Sequence, residues 1–368
     1  MDKNITLAII VILIIGGIYY LESTKIKILT QDINLGEKKG IIESNNKQYQ
    51  KAPELVGLSG YLNTEEGLTI SDLNKQGKIV LIDFWTYTCI NCIRTLPYLT
   101  SWDEKYRDKG LVIIGVHTPE FRFEKKYENV QDAIKKYNIK YPVVQDNDYA
   151  TWTAFKNRYW PRKYLIDTQG NIRYDHIGEG NYEETENKIK ELLNEIGKDV
   201  SEIETPQENS QGFALIKTPE LFAGYSFALQ RGQNIGNTLG LQPDSTIDYT
   251  LPNEISNDII YLEGKWKSNP DDLELIEKDG LIILKFIGNS VNIVAENLED
   301  PVIMEVFIDG NYISKNQAGN DVQFEGDKSF INVDKPQLYN IVNGDYGRYE
   351  LKLKATTSAF SFNAFTFG

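Results

Sequence analysis

Cysteine is nearly absent from this chain. Its 368 residues include two, Cys89 and Cys92, three positions apart. A fold stapled by disulfides needs more cysteines, spread along the sequence. A structural zinc site needs four ligands, and the two histidines, His117 and His176, are distant in sequence from the cysteines. Basic runs are lacking as well. The net charge is −14 and no Lys/Arg block is long enough to follow a phosphate backbone, which argues against nucleic acid as a partner. No segment repeats with a solenoid period.

One long apolar run is present. Ile5 to Leu21 is interrupted only by Thr6, Gly16 and Gly17, with Tyr19 and Tyr20 at its end. At ~1.5 Å per residue it reaches roughly 25 Å, a little short of a ~30 Å hydrocarbon core and workable with interfacial tyrosines. It is longer than a signal-peptide core, and no small-x-small cleavage site follows it. Residues 1–24 are therefore expected to be an uncleaved single-pass membrane anchor, with a cleaved signal peptide as the alternative. Lys3 before the run and Lys25 and Lys27 after it do not set its orientation.

The rest reads as two domains. Residues 25–51 are polar and aperiodic and form a linker. Residues 52–197 alternate strand and helix signals. Ile79–Trp85 is a buried strand, Cys89 to Lys109 a helix closed by Gly110, and Leu111–Val116 a second buried strand. Glu124–Tyr137 has helical periodicity, 163–167 and 172–176 form a hairpin, and a last helix runs from near Asn181 to Gly197. This pattern predicts an α/β domain, a mixed sheet with flanking helices. Residues 198–215 are an acidic linker. In 216–368 helical periodicity gives way to short alternating runs separated by Asp279-Gly280, Asp309-Gly310 and Asn343-Gly344, the pattern of an all-β sandwich or jelly roll.

The cysteine pair stands where the buried strand turns into the helix. Free backbone N–H groups and the positive dipole end at a helix start stabilise a thiolate, and thiols in such motifs ionise well below the ordinary ~8.5. Cys89 is assigned as the exposed attacking thiolate and Cys92, one turn deeper, as the resolving thiol. Asp83, six positions earlier inside the apolar strand, is a candidate acceptor for the Cys92 proton. Pro161, after Trp160, is a candidate cis-proline beside the sulfurs. Trp160, Pro161 and Thr88 are expected to meet the client. No cofactor beyond a Cys89–Cys92 redox disulfide, and no metal, is expected. Pro97 should kink the helix.

The segment 79–97, Gly115-Val116-His117-Thr118-Pro119-Glu120-Phe121, and Arg158-Tyr159-Trp160-Pro161-Arg162-Lys163-Tyr164-Leu165-Ile166-Asp167 resemble the thioredoxin-like domain of the DipZ family, within the broader TlpA-like group. Ile177–Glu186 fits the same pattern. Thr218–Tyr225, Leu262-Glu263-Gly264-Lys265-Trp266 and Phe365-Thr366-Phe367-Gly368 resemble that family's carbohydrate-binding-module-like domain. The resemblance covers most of 52–368. It implies a thiol–disulfide oxidoreductase acting on exported client proteins outside the cytoplasm, in the reducing direction, with cytochrome c maturation among the roles implied. DipZ proteins usually carry a multi-span domain that relays electrons through its own cysteines. This chain has one candidate span and no cysteine in it, so a separate, CcdA-like membrane electron donor is expected. The resemblance also implies that His117, Glu120, Phe121 and Glu124 line the groove; alternatively His117 caps a strand and Phe121 is core. Arg162, following the candidate cis-proline, is expected to place a positive charge near the sulfurs.

Two rival readings make demands that the sequence meets poorly. A peroxiredoxin-like peroxidase needs a proline seven residues before its attacking cysteine, and Ile82 occupies that position. A surface glycan-binding or scaffolding protein would not need the cysteine pair or Asp83. Glycan stacking needs exposed aromatics, yet alternation in Ile260–Lys267 turns Trp266 inward, and nothing makes Tyr225, Tyr261 and Tyr312 converge.

Overall fold

The computed structural model describes residues 49–205 and 216–368. The expected anchor at Ile5–Leu21, nearly all of the tether, and the part of the interdomain linker at 206–215 lie outside the described residues. Among the described residues, no helix is long and apolar enough to cross a membrane.

The first domain is built on β1 (Gly60–Leu62), β2 (Ile79–Trp85), β3 (Leu111–His117), β4 (Val143–Gln145), β5 (Arg162–Ile166) and β6 (Ile172–Ile177). Its helices are α1 (Ile70–Lys75), α2 (Ile90–Tyr106), α3 (Tyr127–Lys136), α4 (Ala150–Ala154) and α5 (Tyr182–Glu195). The sheet runs β1-β4-β3-β2-β5-β6. β3 lies parallel to β2 and to β4, whereas β5 and β6 turn back antiparallel as a hairpin. This is the thioredoxin-like α/β arrangement.

All seven residues of β2 are buried, as a strand covered on both faces requires. Alternation divides them. Ile79, Leu81 and Trp85 join the apolar cluster beneath α2, while Val80, Ile82 and Phe84 join the cluster on the opposite face. Asp83 therefore stands in the row that faces α2. Across the parallel pairing Asp83 is opposite Gly115. A Cβ there would come within 2.9 Å of Trp85 Nε1 and 3.3 Å of the Tyr141 ring, so glycine lets these rings pack close against β3.

α2 runs on through Pro97 and ends in a tight turn, Arg107–Lys109, before Gly110 at φ 116°. The helix expected from Glu124 starts later, at Tyr127, behind a 3₁₀ turn at Arg122–Lys125. Glu124 is fully buried and its carboxylate is engaged inside the protein, so it is unavailable as a surface residue of a helical first turn.

Among the described residues, eleven strands of the second domain are joined by hydrogen bonds into one connected network. The strand Leu281–Asn297 explains how. Its first residues pair with Ile260–Glu263 and its last with Phe360–Phe367, so it changes neighbour partway along. Asn343-Gly344 is not a hairpin turn. It lies within the long strand Gln337–Ala355, at the register break opposite Gly288–Ser290. Asp309-Gly310 does form a turn, with both residues at positive φ (49° and 80°), and Ile308 pairs with Asn311 across it. Trp266 is fully buried, as its alternation predicts, and its ring N–H donates to Glu263 O at 3.0 Å.

The two domains share one core. Tyr87, Phe121 and Phe123 of the first belong to the same apolar cluster as Phe222 and most of the second domain's sheet. Phe227 bridges them, 6.0 Å from the Phe121 ring and 5.5 Å from that of Phe222. Beside this seam the Arg122 guanidinium pairs with Asp271 and Asp272 at 3.1 and 3.4 Å.

Candidate functional site

Cys89 is the N-cap of α2. Its sulfur accepts the Cys92 backbone N–H at 3.2 Å, so it takes up one of the N–H groups that a helix start leaves without a partner. Both cysteines are free thiols; Cys89 is partly exposed and Cys92 buried. Burial pushes the Cys92 thiol well above its ordinary range, and the hydrogen bond and charge of Cys89 push it further. The two sulfurs are thus unequal, one open and accepting a helix N–H, the other dry and holding its proton.

Asp83 lies below. It is buried, its Oδ1 has no hydrogen-bond partner among the described residues, and burial raises its pKa to about 7 against the opposing charge of Lys163. Lys163 is directly opposite Asp83 in the β2–β5 register and is itself fully buried. Its ammonium donates to Gly178 O at 3.3 Å and lies within electrostatic reach of Asp83 and both sulfurs. Burial lowers the Lys163 pKa, and the neighbouring carboxylate opposes that fall.

Lys163 replaces the residue expected to bring positive charge here. Arg162 points the other way, pairing with Asp175 at 2.6 Å and lying over the Tyr164 ring. Strand alternation is the cause, since Lys163 and Leu165 face α2 while Tyr164 and Ile166 face the opposite cluster.

The Trp160–Pro161 peptide is cis. Pro161 is buried and its carbonyl accepts the Gly178 N–H at 2.8 Å, which leaves Trp160 as the residue of this pair that meets the cleft. The Trp160 ring packs 4.2 Å from Trp152 and donates to Thr118 O at 3.0 Å. Thr88, expected to contact the client, is buried, and its hydroxyl donates to Glu124 Oε1 at 2.5 Å. Its side chain braces the loop instead.

Glu124 ties together the two loops at this end of the sheet. Besides Thr88, it accepts the N–H groups of Glu120 and Phe121 at 2.5 and 2.9 Å. Burial raises its pKa against these hydrogen bonds. His117 is fully buried, 3.3 Å from the Thr86 hydroxyl and stacked on Tyr87, and burial lowers its pKa to about 3, so it is neutral. Of the four residues expected along the groove, Glu120 alone lines it; His117, Phe121 and Glu124 are interior.

The open side of Cys89 faces a cleft of about 460 Å³. Asn91, Glu120 and Trp160 belong to its redox-domain wall, and Glu220 and Phe367 to its second-domain wall. Neither Lys163 nor this second wall was anticipated. Alternation within β5 would have placed Lys163 on the α2 face, but its pairing with Asp83 depends on a register the sequence does not state.

Residues 218–368 match the family described as a thioredoxin like C-terminal domain, and residues 49–175 match the AhpC/TSA family. Protein DipZ of Mycobacterium tuberculosis is 35% identical over 284 residues, 72% of this chain and 39% of DipZ. The chain thus aligns with well under half the length of that relative. The thiol-disulfide oxidoreductase YkuV of Bacillus subtilis is 30% identical over 149 residues, 40% of this chain and 98% of YkuV. A solution structure of a thioredoxin-like protein in the oxidized form is 28% identical, covering 40% of this chain and 98% of its own, with a TM-score of 0.36.

Proposed function

The chain belongs to the thioredoxin-like thiol–disulfide oxidoreductases, with the DipZ-like succession of a redox domain and a β-rich domain, and we propose that it reduces disulfides of exported proteins outside the cytoplasm. Cys89 attacks and Cys92 resolves. The observation that carries this reading is the asymmetry of the pair: the Cys89 sulfur takes a helix N–H and opens on the cleft, while Cys92 is buried and keeps its proton.

The Cys89 thiolate attacks one sulfur of the client disulfide. The client S–S bond breaks, a Cys89–client disulfide forms, and the other client sulfur leaves as a thiolate that takes a proton from water. Cys92 then passes its proton to Asp83 and attacks the Cys89 sulfur. The Cys89–Cys92 disulfide forms and the second client thiolate leaves. Two electrons move from the dithiol to the client. A base with a pKa of about 7 is well matched to this proton near neutrality, and Lys163 stabilises the carboxylate that Asp83 must be in order to act. A separate CcdA-like membrane dithiol donor returns the disulfide to the dithiol, and the N-terminal apolar run holds the protein at the membrane. Apocytochromes c are among the clients this reading includes.

Cys92→Ala tests the roles. The variant should accumulate mixed disulfides with exported proteins on non-reducing gels, and Cys89→Ala should accumulate none. Trapping by Cys89→Ala alone would reverse the assignment. Equilibration with glutathione should give a potential well below about −120 mV, the value of a strong oxidant; a potential at that level would overturn the reducing direction.

A further inference from the structure

The cleft beside Cys89 contains two carboxylates that nothing in the fold neutralises directly. Glu120 comes from the redox domain and Glu220 from the second domain. Neither carboxylate accepts a hydrogen bond or forms an ion pair among the described residues; the hydrogen bonds of both residues are made by their backbone groups. They are close enough for the charge of Glu220 to act on Glu120. Crowding by protein raises the pKa of both, Glu220 to about 7 although that residue is exposed to solvent.

The cations of the cleft do not answer them. Arg231 opposes both shifts, but its guanidinium stacks 4.3 Å from the Phe222 ring and 5.1 Å from that of Phe227 and makes no ion pair with either glutamate. Arg158 and Lys217 form no ion pair with either glutamate among the described residues and, like Glu220, stand in solvent, where water and salt screen them. The third glutamate, Glu179, is already held by Arg94 through two hydrogen bonds, at 2.7 and 2.9 Å. Glu120 and Glu220 therefore keep their acceptor capacity for something that enters. What enters is fixed by Cys89 in the same cleft, because a client disulfide has to lie there to react.

We propose that the client segment bound in this cleft carries a lysine or arginine next to its disulfide-bonded cysteine, and that Glu120 and Glu220 hold that cation between the two domains. The inference rests on the thiol–disulfide reading of the site and adds the class of client. A client ammonium or guanidinium supplies the charge-assisted hydrogen bonds both carboxylates lack. An acidic residue at the same place would leave both acceptors unfilled, set like charge against whichever glutamate is ionised, and be rejected. The second domain thereby becomes half of the recognition site.

The test uses the full chain and three peptide disulfides that differ only in the residue beside cysteine, which is Lys, Gln or Glu. The Lys peptide should exceed the Gln peptide in kcat/KM by about tenfold at low salt, and the Glu peptide should be the poorest. Added salt should shrink the ratio. Glu220→Gln and Glu120→Gln should each bring the Lys-to-Gln ratio to within about twofold of one, and Glu220→Lys should favour the Glu peptide. Equal kcat/KM for Lys and Gln peptides in the unaltered protein, or a Lys preference untouched by both Gln variants, would overturn the inference. Failure to reduce any of the three peptides, together with failure on a small chromogenic disulfide, would instead remove the oxidoreductase reading beneath it.

Discussion

A carboxylate in one row with Ile79, Leu81 and Trp85 gives up its water when β2 joins the sheet, and the opposite strand offers only Lys163 in return. Asp83 accordingly keeps its proton up to about pH 7, whereas an unfolded aspartate loses it near 3.9. Between those values the folded chain binds more protons than the unfolded one. The stability from this group is complete below about pH 4 and is lost as pH rises through about 7. Asp83→Asn removes that dependence. In urea titrations the variant should gain on the unaltered protein as pH rises, by up to about 4 kcal/mol at about pH 8, and resolution of the mixed disulfide should slow about 100-fold. Equal pH dependence in the two proteins would show that Asp83 is ionised throughout. Asp83 was legible in the sequence because a single charge inside a seven-residue apolar run needs a reason. Lys163 was not, because Arg162 and Lys163 are chemically alike on paper and only the strand face separates them.

At the scale of elements, the junctions were easier to read than the supports behind them. The thiols sit at a strand-to-helix turn because an apolar run stops and a helical period begins, both visible as pattern. The helix expected to open at Glu124 shows the limit. A glutamate near the start of an amphipathic run reads as a first-turn surface residue, yet here it turns inward and accepts from Thr88, Glu120 and Phe121. Those donors lie four residues or fewer from it in two cases and thirty-six in the third, a separation no local pattern reports. Glu124→Ala leaves two buried donors and a partly buried one without an acceptor and should cost about 3 kcal/mol in guanidinium unfolding, whereas Glu124→Gln, which keeps one oxygen, should cost less. Equal losses for the two variants would mean that side-chain volume, and not the acceptor, is what the loop needs. Asn343-Gly344 failed as a turn signal for a related reason. The same dipeptide serves a break in register when the strands on both sides already have partners, and those partners, Leu281–Asn297 and Val302–Ile308, are distant in sequence.

For the molecule as a whole, the change of composition after residue 215 shows a second domain but not its attachment to the first. Phe121 meets Phe227 across the seam, with Phe123 stacked behind the first ring and Phe222 behind the second, and the apolar cluster is continuous from the Cys92 side of the redox sheet into the β-rich domain. Burial of one such ring is worth about 1.5–3 kcal/mol, whereas the ion pairs of the largely exposed Arg122 are worth roughly 0–1 kcal/mol each. The apolar seam therefore dominates the coupling. A cleft walled by two domains keeps its shape only if they stay together through the opening motions of the native state. Calorimetry should then show one transition with equal calorimetric and van't Hoff enthalpies. Phe227→Ala should separate it into two, with the redox domain unfolding at the lower temperature because Phe121 loses its cover, while Arg122→Ala should leave the single transition nearly in place. Two transitions in the unaltered protein would show that the domains unfold independently and that the wall opposite Cys89 is not fixed.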